Sequence, residues 1–192
     1  RLLHSKQNDY PLKRYFEKVT EINYNMENEL NGLLNYMTQK VGGNIHENGT
    51  ITISSNNSYS DSNSPKNLVE YDKNNYFQAS NSYANVIFDF RDKKVQINGY
   101  SIKSTNNSSG YYHLKNWVIE CSNDQENWNI IDERSENSNL NSSNKVDIFN
   151  VKHNDQFYRF IRLRETGSNW NDSSSNTYFS CIEFFGKLKE IM

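Results

Sequence analysis

The sequence has little of several residue types that mark specialised classes of protein. Its 192 residues include only two cysteines and two prolines, and the formal net charge at pH 7 is −2. Two cysteines are too few for a disulfide-rich secreted scaffold, and no stretch approaches the roughly 20 apolar residues of a membrane-spanning helix. The chain lacks the excess of Lys and Arg that binding to nucleic acid or to an anionic membrane needs. The sequence therefore predicts no nucleic-acid partner and no membrane span.

The two cysteines, Cys121 and Cys181, each lie within an apolar, strand-like segment. Free cysteine behaves as a small buried hydrophobic residue, so we expect two unpaired thiols in a reducing compartment. The sequence begins at Arg1 without a signal-peptide pattern, which predicts that this chain begins inside a longer polypeptide.

An amphipathic helix is predicted over residues 27–41. Its apolar residues fall at spacings of three and four, as one face of a helix requires: Leu30, Leu33, Leu34, Met37 and Val41. Asn25 or Asn28 is the predicted N-cap, and Gly42 with Gly43 is predicted to end the helix in the left-handed conformation. Residues 10–21 are interpreted as an extended connector or a further short helix.

After Gly43 the apolar residues alternate, which is the pattern of half-buried β-strands. The predicted strands are Thr50–Ser54, Tyr76–Ala79, Asn85–Phe90, Val95–Lys103, Lys115–Ser122, Trp128–Arg134, Lys145–Val151, Phe157–Arg164 and Tyr178–Phe185. Short strands joined by Asn- and Ser-rich turns indicate an all-β sandwich or barrel. We therefore divide the chain into a connector with an amphipathic helix, residues 1–45, and a β-sandwich domain, residues 46–192.

The segment Trp117–Trp128 predicts a hairpin. Alternate residues from Trp117 to Cys121 are apolar, and Ser122-Asn123-Asp124 supplies the side chains that bond their own backbone in turns. The aromatic and aliphatic residues of the strand patterns are predicted to form the core: Trp117, Trp128, Phe88, Phe90, Tyr100, Phe160, Ile161, Leu163 and Phe184.

The order of these segments resembles a known family. The segments are Asn67–Asp72, Tyr76–Ser80, Ala84–Phe90, Val95–Ile102, the Trp117–Trp128 hairpin, Tyr158–Leu163 and Cys181–Gly186. Together, over about residues 50–188, they resemble a discoidin, or coagulation factor V/VIII type C, domain. The resemblance implies an eight-stranded antiparallel jelly-roll β-sandwich of the galactose-binding-like type, here with a short N-terminal α-helical extension. It also implies a recognition module and not an enzyme.

The resemblance is nearest to copies of the domain appended to intracellular BTB/BACK adaptor proteins. It rests on Gly42-Gly43-Asn44 after the helix and on the run from His113 to Trp117. Secreted members join the two ends of the sandwich by a disulfide, and this chain has no cysteine near Asn48 or Leu188. An intracellular location, cytoplasmic or cytoskeletal, is therefore expected.

The sequence shows no pattern for catalysis. Its four histidines are scattered, and neither a nucleophile elbow, a Cys/His metal spacing nor a phosphate-binding glycine loop occurs. No cofactor is predicted, apart from a structural calcium ion that the resemblance implies. Its ligands would be Asp72, Asn75 and Glu183, oxygen donors of the kind calcium prefers. Lys73 and Tyr76, where the family usually has Gly and Thr, speak against this ion.

Ligand binding is predicted at loops at one end of the sandwich, because loops on a rigid scaffold carry recognition. The candidate residues are Tyr111, Tyr112, His113, Arg164, Trp170 and Tyr178. Arg164 and Trp170 with His113 are predicted to form a sugar or peptide pocket, in which an aromatic face stacks and Arg or His donates hydrogen bonds. The alternative is that Trp170 and Tyr178 only pack their loop onto the sandwich.

Three functions follow from this reading. The leading hypothesis is a non-catalytic binding module that recognises a protein or peptide within a larger intracellular adaptor. A structural component docked in a cytoskeletal or ciliary assembly, and a carbohydrate-binding module, are the alternatives, because fold alone does not fix the ligand.

Overall fold

The computed structural model describes residues 16–57, 59–71, 74–80, 83–173 and 176–191. These residues form eleven β-strands, one α-helix and two short 3₁₀ helices. The strands are β1 (Glu17–Ile22), β2 (Thr52–Ser55), β3 (Phe77–Ala79), β4 (Asn85–Asp89), β5 (Lys94–Lys103), β6 (Trp117–Ser122), β7 (Asn129–Arg134), β8 (Val146–Asn150), β9 (Phe160–Glu165), β10 (Thr177–Phe179) and β11 (Cys181–Ile191). The helix is α1 (Leu33–Val41), and the 3₁₀ helices are Asp61–Asn63 and Pro65–Val69. No helix among the described residues is long and apolar enough to cross a membrane.

Two antiparallel sheets pack face to face. One has the order β1-β11-β5-β8 and the other β2-β4-β9-β6-β7, while β3 and β10 form a separate short pair. Phe88 of β4 meets Phe184 of β11 edge to face, with ring centroids 5.2 Å apart, and the indole N–H of Trp117 donates to the hydroxyl of Tyr100 at 2.8 Å. The two large sheets contain nine strands. Strand β1 precedes the predicted sandwich domain, and the other eight strands match the number expected for it. The predicted all-β sandwich is confirmed.

The predicted core is buried with one exception. Trp117, Phe88, Tyr100 and the other predicted members are at most 4% exposed. Trp128 is half-buried and lies beneath the guanidinium of Arg162, 3.9 Å from the ring centroid to Cζ. The prediction that Trp128 belongs to the core is wrong, because this indole packs under an arginine and not between the sheets.

The N-terminal segment differs from its prediction. Residues 17–22 form strand β1, which pairs antiparallel with β11 from Glu17 opposite Ile191 to Ile22 opposite Gly186. The strand lies at a sheet edge and four of its six residues are exposed, so it lacks the alternation by which inner strands are recognised. Strand β1 and helix α1 both pack against β11. The N-terminal segment and the sandwich are therefore in contact across the predicted division at residue 45.

Helix α1 is shorter than predicted and is capped differently. Leu33, Leu34 and Met37 are buried, and Gly42 ends the helix at φ 73°, donating its N–H to the carbonyl of Thr38, as expected. Asn25 and Asn28 are not the N-caps. Their side chains accept hydrogen bonds from Glu27 and Leu30 in the turns that precede the helix.

One end of the sandwich carries most of the long loops, and we call it the loop end. The loops from β3 to β4, β5 to β6, β7 to β8 and β9 to β10 lie there, because β5, β7 and β9 end where β4, β6 and β8 begin. Their described residues are 80, 83–84, 104–116, 135–145, 166–173 and 176. Backbone hydrogen bonds join neighbouring loops: Trp170 N donates to His113 O at 3.1 Å and Asn144 N to Thr105 O at 2.7 Å. The loop end is therefore a connected surface held by the two sheets.

Candidate ligand-binding site

Four tyrosines form a continuous aromatic surface at the loop end, which we call the tyrosine cluster: Tyr76, Tyr111, Tyr112 and Tyr178. Tyr178 is its centre, with ring centroids 5.4 Å from Tyr76, 5.8 Å from Tyr111 and 5.2 Å from Tyr112. Tyr111 is the most exposed member, at 38%. Partly exposed rings that pack on one another present a preorganised apolar face with hydroxyl groups on it.

Backbone pairing fixes the centre of the cluster. The N–H of Tyr178 donates to the carbonyl of Tyr112 at 2.8 Å, and Tyr178 lies opposite Gln78 in the β10–β3 pair. Burial, more than the neighbouring phenols, raises the pKa of Tyr178. Its hydroxyl therefore remains a neutral hydrogen-bond donor at physiological pH.

Neutral amides adjoin the cluster. The side chain of Gln78 donates to Asn176 at 3.4 Å and accepts from Asn63 at 3.2 Å. The cation–π contacts found in the described part of the chain involve other rings. The polar groups beside the tyrosine cluster are thus suited to a neutral, hydroxyl-bearing ligand.

His113 is only 1% exposed, so the predicted direct role in ligand binding is corrected. Its Nε2 lies 3.1 Å from the carbonyl oxygens of both Asn107 and Ser108, which restrains the loop that leads to Tyr111. Nδ1 is buried without a hydrogen-bond partner among the described residues. Burial lowers the pKa of this histidine, which favours the neutral ring and a supporting role.

Trp170 joins two loops. Its indole N–H donates to the carbonyl of Asn137 at 3.0 Å, and Lys115 Nζ lies 4.8 Å from its ring centroid. Lys115 also pairs with Glu136 at 3.2 Å and Asp172 at 3.7 Å. These contacts support the alternative reading of Trp170, in which the side chain packs the loop onto the sandwich.

Arg164 lies on the outer face of the five-stranded sheet and not in a pocket with Trp170 and His113. Its Nη2 donates to Glu120 Oε1 at 2.8 Å, while Arg162 Nε donates to Oε2 of the same carboxylate at 2.7 Å. Burial alone raises the pKa of Glu120, but the bonds from the two arginines outweigh it and lower the pKa. The predicted pocket of Arg164, Trp170 and His113 is wrong because Ile161 and Leu163 alternate with the arginines and turn them outward.

The predicted calcium ligands are not brought together. Asp72 lies outside the described residues, and the Asn75 amide donates to Glu70 at 2.8 Å. Glu183 is fully buried, and its carboxylate accepts backbone N–H groups of Leu34, Asn35 and Phe184 at 2.7–2.8 Å. Among the described side chains no group of three or more His, Cys, Asp and Glu is arranged to hold a metal. Glu183 therefore caps α1, and the described residues do not fit the calcium site.

A further buried glutamate lies beneath the loop end and was not predicted. Glu165, 2% exposed, accepts the N–H of Ala84 at 2.8 Å and the hydroxyl of Thr177 at 2.8 Å. Burial raises its pKa to about 7, although both hydrogen bonds lower it. The sequence did contain a signal for the burial of Glu165, because this residue continues the alternate, inward-facing positions of Ile161 and Leu163 in β9.

An antiparallel sandwich with an aromatic surface on its loops is a scaffold of the kind that carries recognition on loops held by a rigid framework. The F5/8 type C domain model matches residues 50–184. The chain therefore belongs to the F5/8 type C domain family and is a binding module of the discoidin type. No curated protein matches the sequence significantly.

Solved structures share this fold at low sequence identity. The module CpGH89CBM32-5 from Clostridium perfringens, solved with GalNAc-β-1,3-galactose, is 12% identical with a TM-score of 0.55, covering 71% of this chain and 96% of that one. CBM32-3 from a family 31 glycoside hydrolase of the same species is 14% identical with a TM-score of 0.57, covering 72% and 92%. Chitosan-binding module 1 from a Paenibacillus sp. IK-5 chitosanase/glucanase is 9% identical with a TM-score of 0.54, covering 71% and 96%. These likenesses establish the fold.

Proposed function

We propose that this domain is a non-catalytic module that binds a neutral carbohydrate at the tyrosine cluster. The observation that carries the proposal is the cluster itself, in which Tyr76, Tyr111 and Tyr112 each pack on Tyr178 and Tyr111 is exposed. Sugar rings have apolar C–H faces that pack on aromatic rings, while their hydroxyls exchange hydrogen bonds with phenols and amides.

Two similar structures support the choice of ligand class. One was solved with the neutral disaccharide GalNAc-β-1,3-galactose, and another is a chitosan-binding module, which supports a carbohydrate ligand but not its neutral charge, because chitosan carries amino groups. Gln78 and Asn176 provide amide groups beside the rings, and such groups both donate to and accept from hydroxyls.

The test is a calorimetric titration of the purified chain with galactose and GalNAc-β-1,3-galactose, with chitosan oligosaccharides as the cationic comparison. Tyr111→Ala removes the most exposed ring, and we expect it to weaken binding about fivefold to tenfold. Tyr24→Ala is the matched control. Tyr24 is 39% exposed, almost the same as Tyr111, but it packs on Phe185 of β11, 5.8 Å between ring centroids.

Two outcomes would contradict the proposal. One is an absence of binding to these sugars and to a broad glycan array. The other is an equal loss of affinity in Tyr111→Ala and Tyr24→Ala, which would show that the cluster has no special role.

Recognition of a protein or peptide is the second candidate, because tyrosine-rich surfaces are also typical of protein-binding sites. The intracellular adaptor context and the cytoplasmic or cytoskeletal location belong to this candidate. An affinity pull-down from cell extract that loses the same partner in Tyr111→Ala, but not in Tyr24→Ala, would favour it, provided that the sugar titrations are negative.

A further inference from the structure

The sequence contains three Asn-Gly pairs, and the fold places them in different surroundings. They are Asn31-Gly32, Asn48-Gly49 and Asn98-Gly99. An Asn-Gly pair can modify itself without an enzyme, because glycine has no side chain to keep its backbone nitrogen away from the preceding amide. The asparagine is exposed in all three pairs, whereas the glycine is buried in the first and the third and exposed in the second. Exposure of the glycine therefore distinguishes Asn48-Gly49 from the other two.

Gly32 and Gly99 are held within packed backbone. The N–H of Gly32 bonds the buried Glu183 carboxylate, and a Cβ at Gly32 would collide with the carbonyl oxygen of Phe184. Gly99 lies in β5, opposite Phe185 of β11 on one side and Asn150 of β8 on the other. Attack by either glycine nitrogen requires its backbone to turn, so the surrounding structure must first open.

Asn48-Gly49 lies in the open turn between α1 and β2, away from the loop end, because β2 begins opposite the last residue of β4. Gly49 has a φ of +79°, and a Cβ there would have nothing within 4 Å. Its N–H donates to the carbonyl of His46 at 3.2 Å. This bond is at the long end of the usual range, so ring closure at Asn48-Gly49 has a weak bond to break.

Thr50 holds the side chain of Asn48 over its own backbone. The backbone N–H of Thr50 donates to Oδ1 of Asn48 at 3.0 Å, and the hydroxyl of Thr50 donates to the same oxygen at 2.7 Å. Two donors on one amide oxygen draw electrons from Cγ and stabilise the negative charge that the oxygen gains when a nucleophile adds, as in an oxyanion hole. The Asn48 amide is therefore both positioned and activated by Thr50.

We propose that Asn48 is a site of spontaneous modification, at which Asn48-Gly49 closes to a succinimide with the assistance of Thr50. The backbone nitrogen of Gly49 loses its proton to solvent base and bonds Cγ of Asn48, while the Cγ–Nδ2 bond breaks and the nitrogen leaves as ammonia. Water then opens the imide at one of its two carbonyl groups, which yields aspartate or isoaspartate at position 48. Either product adds one negative charge, and neither depends on the proposed carbohydrate site.

The first test compares the three pairs within one chain. The folded protein is incubated at pH 8, and mass spectrometry of its peptides measures the conversion of amide to acid at Asn31, Asn48 and Asn98. We expect Asn48 to convert at least about a hundredfold faster than the other two, because they require local opening of packed structure. Incubation in urea is the matched control, since unfolding removes the packing and should bring the three rates close together.

Two results of this test overturn the proposal. One is conversion at Asn31 or Asn98 as fast as at Asn48 in the folded protein. The other is an Asn48 that converts in urea but stays intact in the folded protein, because the turn would then protect the amide.

The second test concerns Thr50. Thr50→Val removes the hydroxyl donor but keeps the backbone N–H and the branched shape. We expect conversion at Asn48 in the folded protein to slow about threefold to tenfold, with no change in urea, and Thr50→Ser to restore the wild-type rate. An unchanged rate in folded Thr50→Val contradicts the assistance by Thr50. An equal slowing in urea also contradicts it, because the effect would then not need the folded turn.

Discussion

Glu183→Gln tests whether burial or helix capping dominates at the start of α1. The carboxylate accepts three backbone N–H groups, from Leu34, Asn35 and Phe184, and a negative charge at a helix N-terminus is favourable. Burial opposes these bonds, and it is the larger effect, because it raises the pKa of Glu183 from 4.5 to about 7. The folded protein therefore binds a proton more tightly at this position than the unfolded chain does.

The sign of the pH dependence follows from linkage. Below pH 4.5 the group is protonated in both states and its contribution to stability is complete. As the pH rises through about 7 that contribution is lost, because the unfolded chain ionises first. Each pKa unit corresponds to about 1.4 kcal/mol, so the wild type should lose about 2 to 3 kcal/mol from this group between pH 5 and pH 8.

Glutamine resembles the protonated acid and does not titrate, so Glu183→Gln should lack this loss. We expect the variant to match the wild type within about 1 kcal/mol at pH 5, and to be about 2 kcal/mol more stable at pH 8. Urea unfolding at both pH values measures the difference, with exposed Glu126→Gln as the control that should not change it. A variant less stable than the wild type at pH 8 would refute the reasoning, because capping by the charge would then outweigh burial.

Three further predictions concern the two tryptophans, the glycine at the bulge in β11 and the thiols. Trp117→Ala should lower the free energy of unfolding by about 3 to 5 kcal/mol, whereas Trp128→Ala should cost about 1 kcal/mol, since it loses mainly the contact with an arginine; similar losses in urea unfolding would contradict this. Gly186→Ala should destabilise the protein by at least about 2 kcal/mol, because Gly186 has a φ of +135° and a Cβ there would lie 2.1 Å from the carbonyl oxygen of Gln96. A Cβ at Gly43 would have nothing within 4 Å, so Gly43→Ala should be near neutral. Thermal unfolding measures both variants. Burial raises the pKa of both thiols to about 12, so a disulfide reagent at pH 8 should label them only after denaturant is added, and rapid labelling of the native protein would count against the fold.

The sequence predicted strands well where one face is buried. In β4, Val86 and Phe88 are buried and Ile87 between them is not, and the alternation alone placed this strand to within one residue. Strand β1 escaped prediction because it lies at an edge, where exposed charged residues replace the apolar positions. An edge strand is stabilised by pairing with its neighbour, and the residue pattern of the strand itself does not reveal that pairing.

The Trp117–Trp128 hairpin shows a second limit of predicting buried residues from alternation in the sequence. Trp117 was correctly assigned to the core, but Trp128 lies on the other face of the sheet. The register of β6 and β7 shifts between Ile119 and Glu120, and such a bulge changes which residues of the partner strand face inward. Alternation predicts two faces for each strand, but it does not relate the faces of two strands across an irregular turn.

Sequence analysis named some of the residues that the structure brings together at the loop end, and their role in binding stays a prediction. Tyr111, Tyr112 and Tyr178 do come together, and Tyr76 joins them from a segment interpreted only as a strand. Glu183 could not be assigned from sequence, because the amides it binds are 148 and 149 residues away in the chain. The outward direction of Arg164, by contrast, was available from the alternation of β9.

The pairing of β1 with β11 has a mechanical consequence. Glu17 lies opposite Ile191, so the outer ends of the first and last described strands are neighbours in one sheet. Tension applied between these two residues would act across the strands and load their hydrogen bonds one pair at a time, beginning at the open end. The domain would therefore yield by peeling of β1 at low force, before the sandwich between the two sheets bears any load.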